Sequence, residues 1–307
     1  MQSTNTVFLV RPARFGFNPE TAASNYFQQA IADLDAATVQ ACAFAEFDAM
    51  VASLRAKGVT VLVFDDIPEP AKPDAVFPNN WLTLHPDGRV LLYPMCAPNR
   101  RLERRPDILE VLRKQFSIKE VVDLSEYEQE GRFLEGTGSI LFDHEHRVAY
   151  ACLSPRTDAS LFAEVANQLG YRPVTFRAHD AHGLEIYHTN VMLSIGSGFA
   201  VVCLESIVNA AERAAVVASF SLTGHEIVAI SLAQIAHFAG NMLALQSTEG
   251  TSLLAMSQSA FDALTPAQRT TLSRYCELLP LPIPTIETIG GGSVRCMLAE
   301  VFLPATR

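Results

Sequence analysis

The chain has 307 residues, 49% of them hydrophobic, a formal net charge of −10 and only four lysines, none beyond Lys119. That length and hydrophobic content bury a large core as one big domain or two ordinary ones. An acidic, lysine-poor surface argues against nucleic acid or an anionic membrane as the main partner.

The start, MQSTNTVFLVRPARF, has no basic stretch ahead of a long apolar run, so no signal peptide is expected. Asn5-TVFLV reads as a first strand. Phe44, Phe47, Val51 and Leu54 then recur at helical spacing, and Gly58 stops that helix before the strand VTVLVF. FPNNW (77–81) sets Asn79 and Asn80 ahead of an alternating strand, Leu82-Thr83-Leu84. Asp158 or Thr157 caps a helix with Leu161, Val165 and Leu169 on one face, stopped by Gly170. The charge-free run from Ile227 to Thr248 contains Ser231, Gln234, His237, Gly240 and Asn241, and reads as strand, helix and strand in a core rather than a membrane span. Thr265-Pro266 opens one more helix. No low-complexity linker interrupts the chain, so a single domain over 1–307 is expected. Six cysteines (Cys42, Cys96, Cys152, Cys203, Cys276 and Cys296) show no CxxC pair and no metal-ligand spacing with the histidines, which fits reduced thiols in the cytoplasm and no metal. Oligomeric state, a homo-oligomer included, is left open.

A strand opening recurs: Asn80-WLTL, Ser139-ILFD, Asn190-VMLSIG, Asn241-MLALQ and Cys296-MLAEV, spaced 59, 51, 51 and 55 residues apart. Such a period implies copies of one strand–helix–strand block, with Asn5-TVFLV as another copy that pairs with the last to close a ring. Around a pseudo-symmetry axis the opening residues converge: Asn80, Glu135 with Ser139, His188 with Asn190, Asn241 and Cys296. A thiol, an imidazole, a carboxylate and amides together suit nucleophilic attack on a carbonyl-like carbon.

GGGSVRCM (290–297) resembles the glycine-rich stretch with the nucleophilic cysteine of the guanidino-modifying enzymes, namely the arginine and agmatine deiminases, dimethylarginine hydrolases and amidinotransferases. LEGTGS (134–139) resembles that family's acidic motif, YHTN (187–190) its histidine motif, PDAVFPNN (73–80) the stretch supplying substrate-binding carboxylates, and APNRRLE (97–103) a segment with a substrate-binding arginine. The motifs run in the family's order over most of the chain, which most closely resembles the arginine deiminase-related, citrulline-utilisation branch. The resemblance implies an α/β fold, the five-bladed α/β propeller called the pentein fold. It also implies a reaction without a cofactor, in which Cys296 is the nucleophile, His188 the acid/base and Glu135 the carboxylate that orients it. Substrate contacts then fall to Asp74, Asn80, Asn190, Asn241 and Arg101.

Each assignment has a plainer rival. Cys296 has the buried structural thiol, Glu135 a turn cap, and Arg101 a solvated basic helix start in RRLERR. His144 and His146 sit in a charged turn and read as solvated; His179 and His182 lie in the loop before the histidine motif. In arginine deiminases, aspartates flank the guanidinium where Asn80 and Asn190 stand here. Neutral carboxamides forfeit ion pairs with a guanidinium and donate to a ureido oxygen, so the expected substrate is citrulline or a relative, cleaved to ornithine, ammonia and carbon dioxide. The alternatives are a guanidino hydrolase (arginine deiminase, dihydrolase or methylarginine hydrolase) and an amidinotransferase. A non-catalytic propeller of the kind that binds ribosomes has no need for these side chains, and a charge of −10 suits RNA poorly.

Overall fold

The computed structural model describes residues 1–30 and 34–306. β1 (Thr6–Arg11) runs parallel to β2 (Thr60–Asp65), with the helix Ala36–Ala56 crossing between them. Next come β3 (Leu82–Leu84), β4 (Arg89–Leu92) and β5 (Glu120–Asp123), then β6 (Ile140–Asp143), β7 (Val148–Cys152) and β8 (Arg172–Phe176). Two further sets follow: β9 (Leu193–Gly196), β10 (Phe199–Val202) and β11 (Glu226–Ala229), and β12 (Leu243–Gln246), β13 (Ser252–Ser257) and β14 (Glu277–Leu281). β15 (Ala299–Glu300) returns to pair antiparallel with β1.

The strands make five three-stranded sheets of one design, a mixed α/β architecture consistent with the pentein fold. In each, an antiparallel pair is joined to a third strand that runs parallel to the middle one. A parallel pair needs a long crossover, and each sheet has a helical one. First strands of different sheets lie side by side: β3 by β15, β6 by β9, and β9 by β12.

The expected helices form where their signals stand. Ala36–Ala56 buries Val39, Phe47, Met50, Val51 and Leu54. Asp158 caps Ala159–Leu169 by accepting from Leu161 N, and Gly170 ends it with φ 75°. Thr265 and Gln268 form a capping box at Pro266–Leu272. The charge-free run is strand, short helix and strand in the core, and no helix among the described residues is long and apolar enough to cross a membrane.

Two expectations about the repeat change. Asn5-TVFLV is no additional copy, because β1 is the middle strand of the sheet that β15 completes. The polar residues also precede their strands less directly than read. Single helical turns at Pro78–Asn80, Thr189–Val191 and Val294–Met297 carry Asn80, Asn190 and Cys296, so those strands start at Leu82, Leu193 and Ala299, whereas β6 starts at Ile140 directly after Ser139 as expected.

Candidate active site

The opening residues meet at one end of the sheets. A narrow cleft is lined by Asp74, Asn80, His188 and Cys296, together with Arg100, Arg156, Tyr187 and the backbone of Gly290, Gly291 and Gly292. Glu135, Asn190 and Asn241 stand just behind that lining and are fully buried. A Cβ on Gly138 would lie 2.4 Å from Asn80 Nδ2 and 2.7 Å from His188 Nδ1, so only glycine lets those two side chains approach each other across the LEGTGS turn. The triple glycine obeys the same limit: a Cβ on Gly290 would meet the Phe77 ring at 2.8 Å.

Cys296 sits in the turn Val294–Met297, and its Sγ receives the amide nitrogens of Asn241 and Asn190, Nδ2 to Sγ 3.4 and 3.5 Å. Asn241 Nδ2 also donates to Asn190 O at 2.9 Å, and its Oδ1 accepts from Arg295 N at 3.1 Å. His188 Nε2 lies 2.8 Å from Glu135 Oε2, and Glu135 Oε1 accepts from Cys96 N at 3.0 Å. Glu135 holds the N-cap position of its turn but caps nothing with its side chain. Burial alone would raise its carboxyl. Arg156, His188 and Arg100 outweigh burial and hold it well below the usual carboxylate range. Burial pushes His188 down to about 4 although Glu135 pulls the other way, so near neutral pH a carboxylate orients a neutral imidazole.

Asn80 accepts from Arg100 Nη1 at 2.7 Å. Guanidinium nitrogens only donate, so Oδ1 is the atom that faces Arg100, and Nδ2 is left without a protein partner. Asn190 Oδ1 and Asp74 Oδ1 likewise have none. Asp74 Oδ2 accepts from Asn18 Nδ2 at 2.8 Å and Thr21 Oγ1 at 3.1 Å.

Arg101 is not brought to the cleft. Its Nε donates to Met95 O at 3.0 Å, and Glu128 lies 3.3 Å away. The segment Pro98–Glu103 is a 3-10 helix, in which i and i+3 share a face, so Arg100 turns inward onto Glu103 and Arg101 turns away. Ser139 does not line the cleft either. It accepts from Glu135 N and donates to Arg156 O, thereby holding both neighbours in place.

Arg156, absent from the sequence-based set, bonds Ser24 Oγ and Thr21 O, stacks over Tyr187 at 4.8 Å and lies 3.6 Å from Glu135. Its only signal is position: SPRTD follows β7, whose end lies beside the start of β6. Among the other histidines, His146 is exposed as expected, but His144 is not solvated. It bonds the Tyr171 hydroxyl at 2.7 Å and packs on Phe142 and Phe302. The metal-ligating side chains that cluster among the described residues, Asp143, His146 and His225, lie away from this cleft.

The fold is shared with solved enzymes. The N-terminal domain of ArgZ, an arginine dihydrolase from the ornithine–ammonia cycle in cyanobacteria, solved bound to substrate, is 18% identical with a TM-score of 0.74; the match covers 97% of this chain and 98% of that one. Unliganded AgrE is 17% identical with a TM-score of 0.74, covering 98% of this chain and 40% of the longer one. A dimethylarginine dimethylaminohydrolase adduct with S-methyl-L-thiocitrulline is 16% identical with a TM-score of 0.66, covering 98% of this chain and 100% of that one. No curated protein sequence matches the chain significantly. The family model described as "N,N dimethylarginine dimethylhydrolase, eukaryotic" matches residues 11–303. The chain therefore belongs to that family of guanidino-modifying pentein enzymes, hydrolases of carbon–nitrogen bonds.

Proposed function

We propose that this protein is a cysteine hydrolase of the guanidino group of arginine or an Nω-methylated arginine. The observation that carries the reading is one cleft holding the Cys296 thiol, the Glu135-bound His188 and the buried carboxylate of Asp74. This reverses the order expected from the two asparagines alone. The charge those carboxamides forgo is supplied by Asp74 and Glu135, and the dihydrolase and dimethylarginine hydrolase likenesses favour a guanidino substrate.

Cys296 attacks the guanidino carbon. Neutral His188 takes up the thiol proton and passes it to the departing amine, so the C–N bond breaks as the C–S bond forms. Water, deprotonated by His188, then attacks the same carbon; the C–S bond breaks, the ureido product leaves, and the proton returns from His188 to the Cys296 thiolate. Asp74 Oδ1, buried and without a protein partner, takes the substrate's cationic end that faces it. The side chains of Asn241 and Asn190 donate to the sulfur when it is anionic.

A second round on citrulline is the further reading, supported by the free donor Asn80 Nδ2, which a ureido oxygen accepts from, beside the free acceptor Asn190 Oδ1, which a guanidinium donates to. One site then handles both groups in turn, ending at ornithine. The surrounding architecture is proposed as a single closed five-bladed propeller over 1–307, with the cytoplasm as its place, in keeping with six unpaired cysteines. The test is to incubate pure protein with arginine, monomethyl- and dimethylarginine and citrulline, and to assay citrulline, ornithine, ammonia and methylamines. Guanidino turnover is expected; activity on citrulline alone would refute the primary reading.

A further inference from the structure

A second group of titratable side chains lies at the opposite end of β6 from Glu135. Asp143 closes β6, His146 follows in the β6–β7 turn, and His225 stands just before β11 in another sheet. From Ser139 to Asp143 the strand advances about 13 Å at the usual rise, which separates this group from the reacting atoms. One donor atom from each of the three side chains lies within 4.8 Å of the others.

The Asp143 carboxylate is fully buried, and its only ion-pair partners among the described residues are the two imidazoles, with His146 Nδ1 at 3.0 Å and His225 Nε2 at 3.9 Å from Oδ2. His146 N donates to Asp143 Oδ1 at 2.9 Å, and with no arginine or lysine beside it the buried carboxylate favours a cation to offset the rest of its lost hydration. His225 supplies a second, independent observation. Its Nδ1 lies 2.7 Å from Thr223 Oγ1, whose own hydrogen is directed to Ser219 O and Phe220 O at 3.1 Å, so the hydroxyl accepts from Nδ1–H and Nε2 is left as the ligand atom on the Asp143 side. Nε2 has no well-aligned hydrogen-bond partner although the side chain is only 1% exposed, and the Gly196 carbonyl also faces the ring. His146 is the adjustable member, with 40% of its side chain exposed.

We infer that Asp143, His146 and His225 bind one divalent transition-metal ion of the zinc class, clamping the β6–β7 turn to the start of β11. Two imidazoles and one carboxylate suit Zn²⁺ or Co²⁺ and not the all-oxygen shells of Mg²⁺ or Ca²⁺. A tetrahedral ion with bonds of about 2.0–2.2 Å spaces its donors about 3.3 Å apart. The Asp143–His146 pair already has nearly that spacing. His225 closes in by about half an ångström, the exposed His146 rotates through the rest, and water takes the fourth position. With no link to the cleft, the ion joins two sheets and takes no part in the reaction.

The test uses the full chain carrying Cys296→Ala, so that the cleft thiol cannot compete. After treatment with a chelator the protein is titrated with Co²⁺ and, separately, with Zn²⁺. One equivalent is expected to bind, with tetrahedral Co²⁺ absorption lacking a thiolate charge-transfer band, and with a raised Tm. His225→Gln and His146→Asn should each weaken binding at least about tenfold and remove the Tm gain. In the protein with Cys296 intact, His146→Asn should leave turnover unchanged. His146 is exposed, so its variant folds and reports even where His225→Gln does not. Absence of stoichiometric binding in Cys296→Ala, or binding that survives His146→Asn, would overturn the inference, and neither result depends on which substrate the cleft takes.

Discussion

At the end of the sheets where β3, β6 and β9 begin, buried polar atoms are left without protein partners: Asp74 Oδ1, Asn79 Oδ1, Asn80 Nδ2 and Asn190 Oδ1. The opposite end spends its backbone groups locally. Its hairpins close through residues with positive φ, at Gly88, Arg147, Gly198 and Gly250, with bonds such as Gly88 N to His85 O at 3.0 Å, and the buried atoms without partners there, His225 Nε2 and Arg269 Nε among the described residues, lie apart from one another. A buried, unmade hydrogen bond costs about 1–3 kcal/mol. A cluster of four at one end of a well-packed molecule marks where binding, rather than folding, uses those groups. The comparison predicts that substitutions at the cleft end change chemistry far more than stability, and that those at the far end do the reverse.

The largest effect falls on Cys296. Cys296→Ala should lower kcat by at least about 10⁴-fold with Tm nearly unchanged, whereas alanine at any of the other five cysteines should change kcat only a few-fold. Next come His188→Asn and Glu135→Gln, each expected to lose about 10²–10⁴-fold. The sign of the pH effect separates their roles. His188 is depressed to about 4 by burial and pulled upward by Glu135, so the acid limb of the kcat/KM profile should lie well below 6.5. Glu135→Gln should move that limb lower still, and a limb that rises in this variant would contradict the orienting role.

Replacing both Asn80 and Asn190 by Asp should shift the arginine-to-citrulline ratio of kcat/KM at least tenfold toward arginine. Asn190→Asp should carry most of the change, because Arg100 neutralises a new carboxylate at position 80. The ratio is the readout, since added anions beside the sulfur slow both substrates. Smallest of all, Gly170→Ala at the far end, where φ is 75°, should cost about 1 kcal/mol of stability and leave kcat/KM intact.

What was legible in the sequence follows the same division. Helix caps are local chemistry, so Asp158 with Gly170 and Thr265 with Gln268 were readable from neighbours alone. The strand openings were readable because each places a polar residue ahead of an apolar run, and that led to Asn80, His188, Asn241 and Cys296. Arg156 escaped notice and Arg100 lost its place to Arg101, for one reason. In an antiparallel hairpin the residues after the second strand return beside the residues before the first, as Leu82 pairs with Leu92 and Ile140 with Ala151. The segments after β4 and β7 therefore border the cleft, and nothing in their composition says so. His144 reads as solvated because its charged turn is local, whereas Tyr171 and Phe302, which pack on it, come from distant parts of the chain. Asp143 and His225 belong to different sheets, so no spacing rule could have joined them.

The central claim is a covalent intermediate on Cys296 during guanidino hydrolysis. The most direct test quenches the protein with acid during turnover of arginine or a methylarginine, then reads its intact mass and maps the modified peptide. The account predicts a single amidino adduct confined to Cys296 and absent from Cys296→Ala. An adduct on another residue, or turnover that persists undiminished in Cys296→Ala, would contradict it.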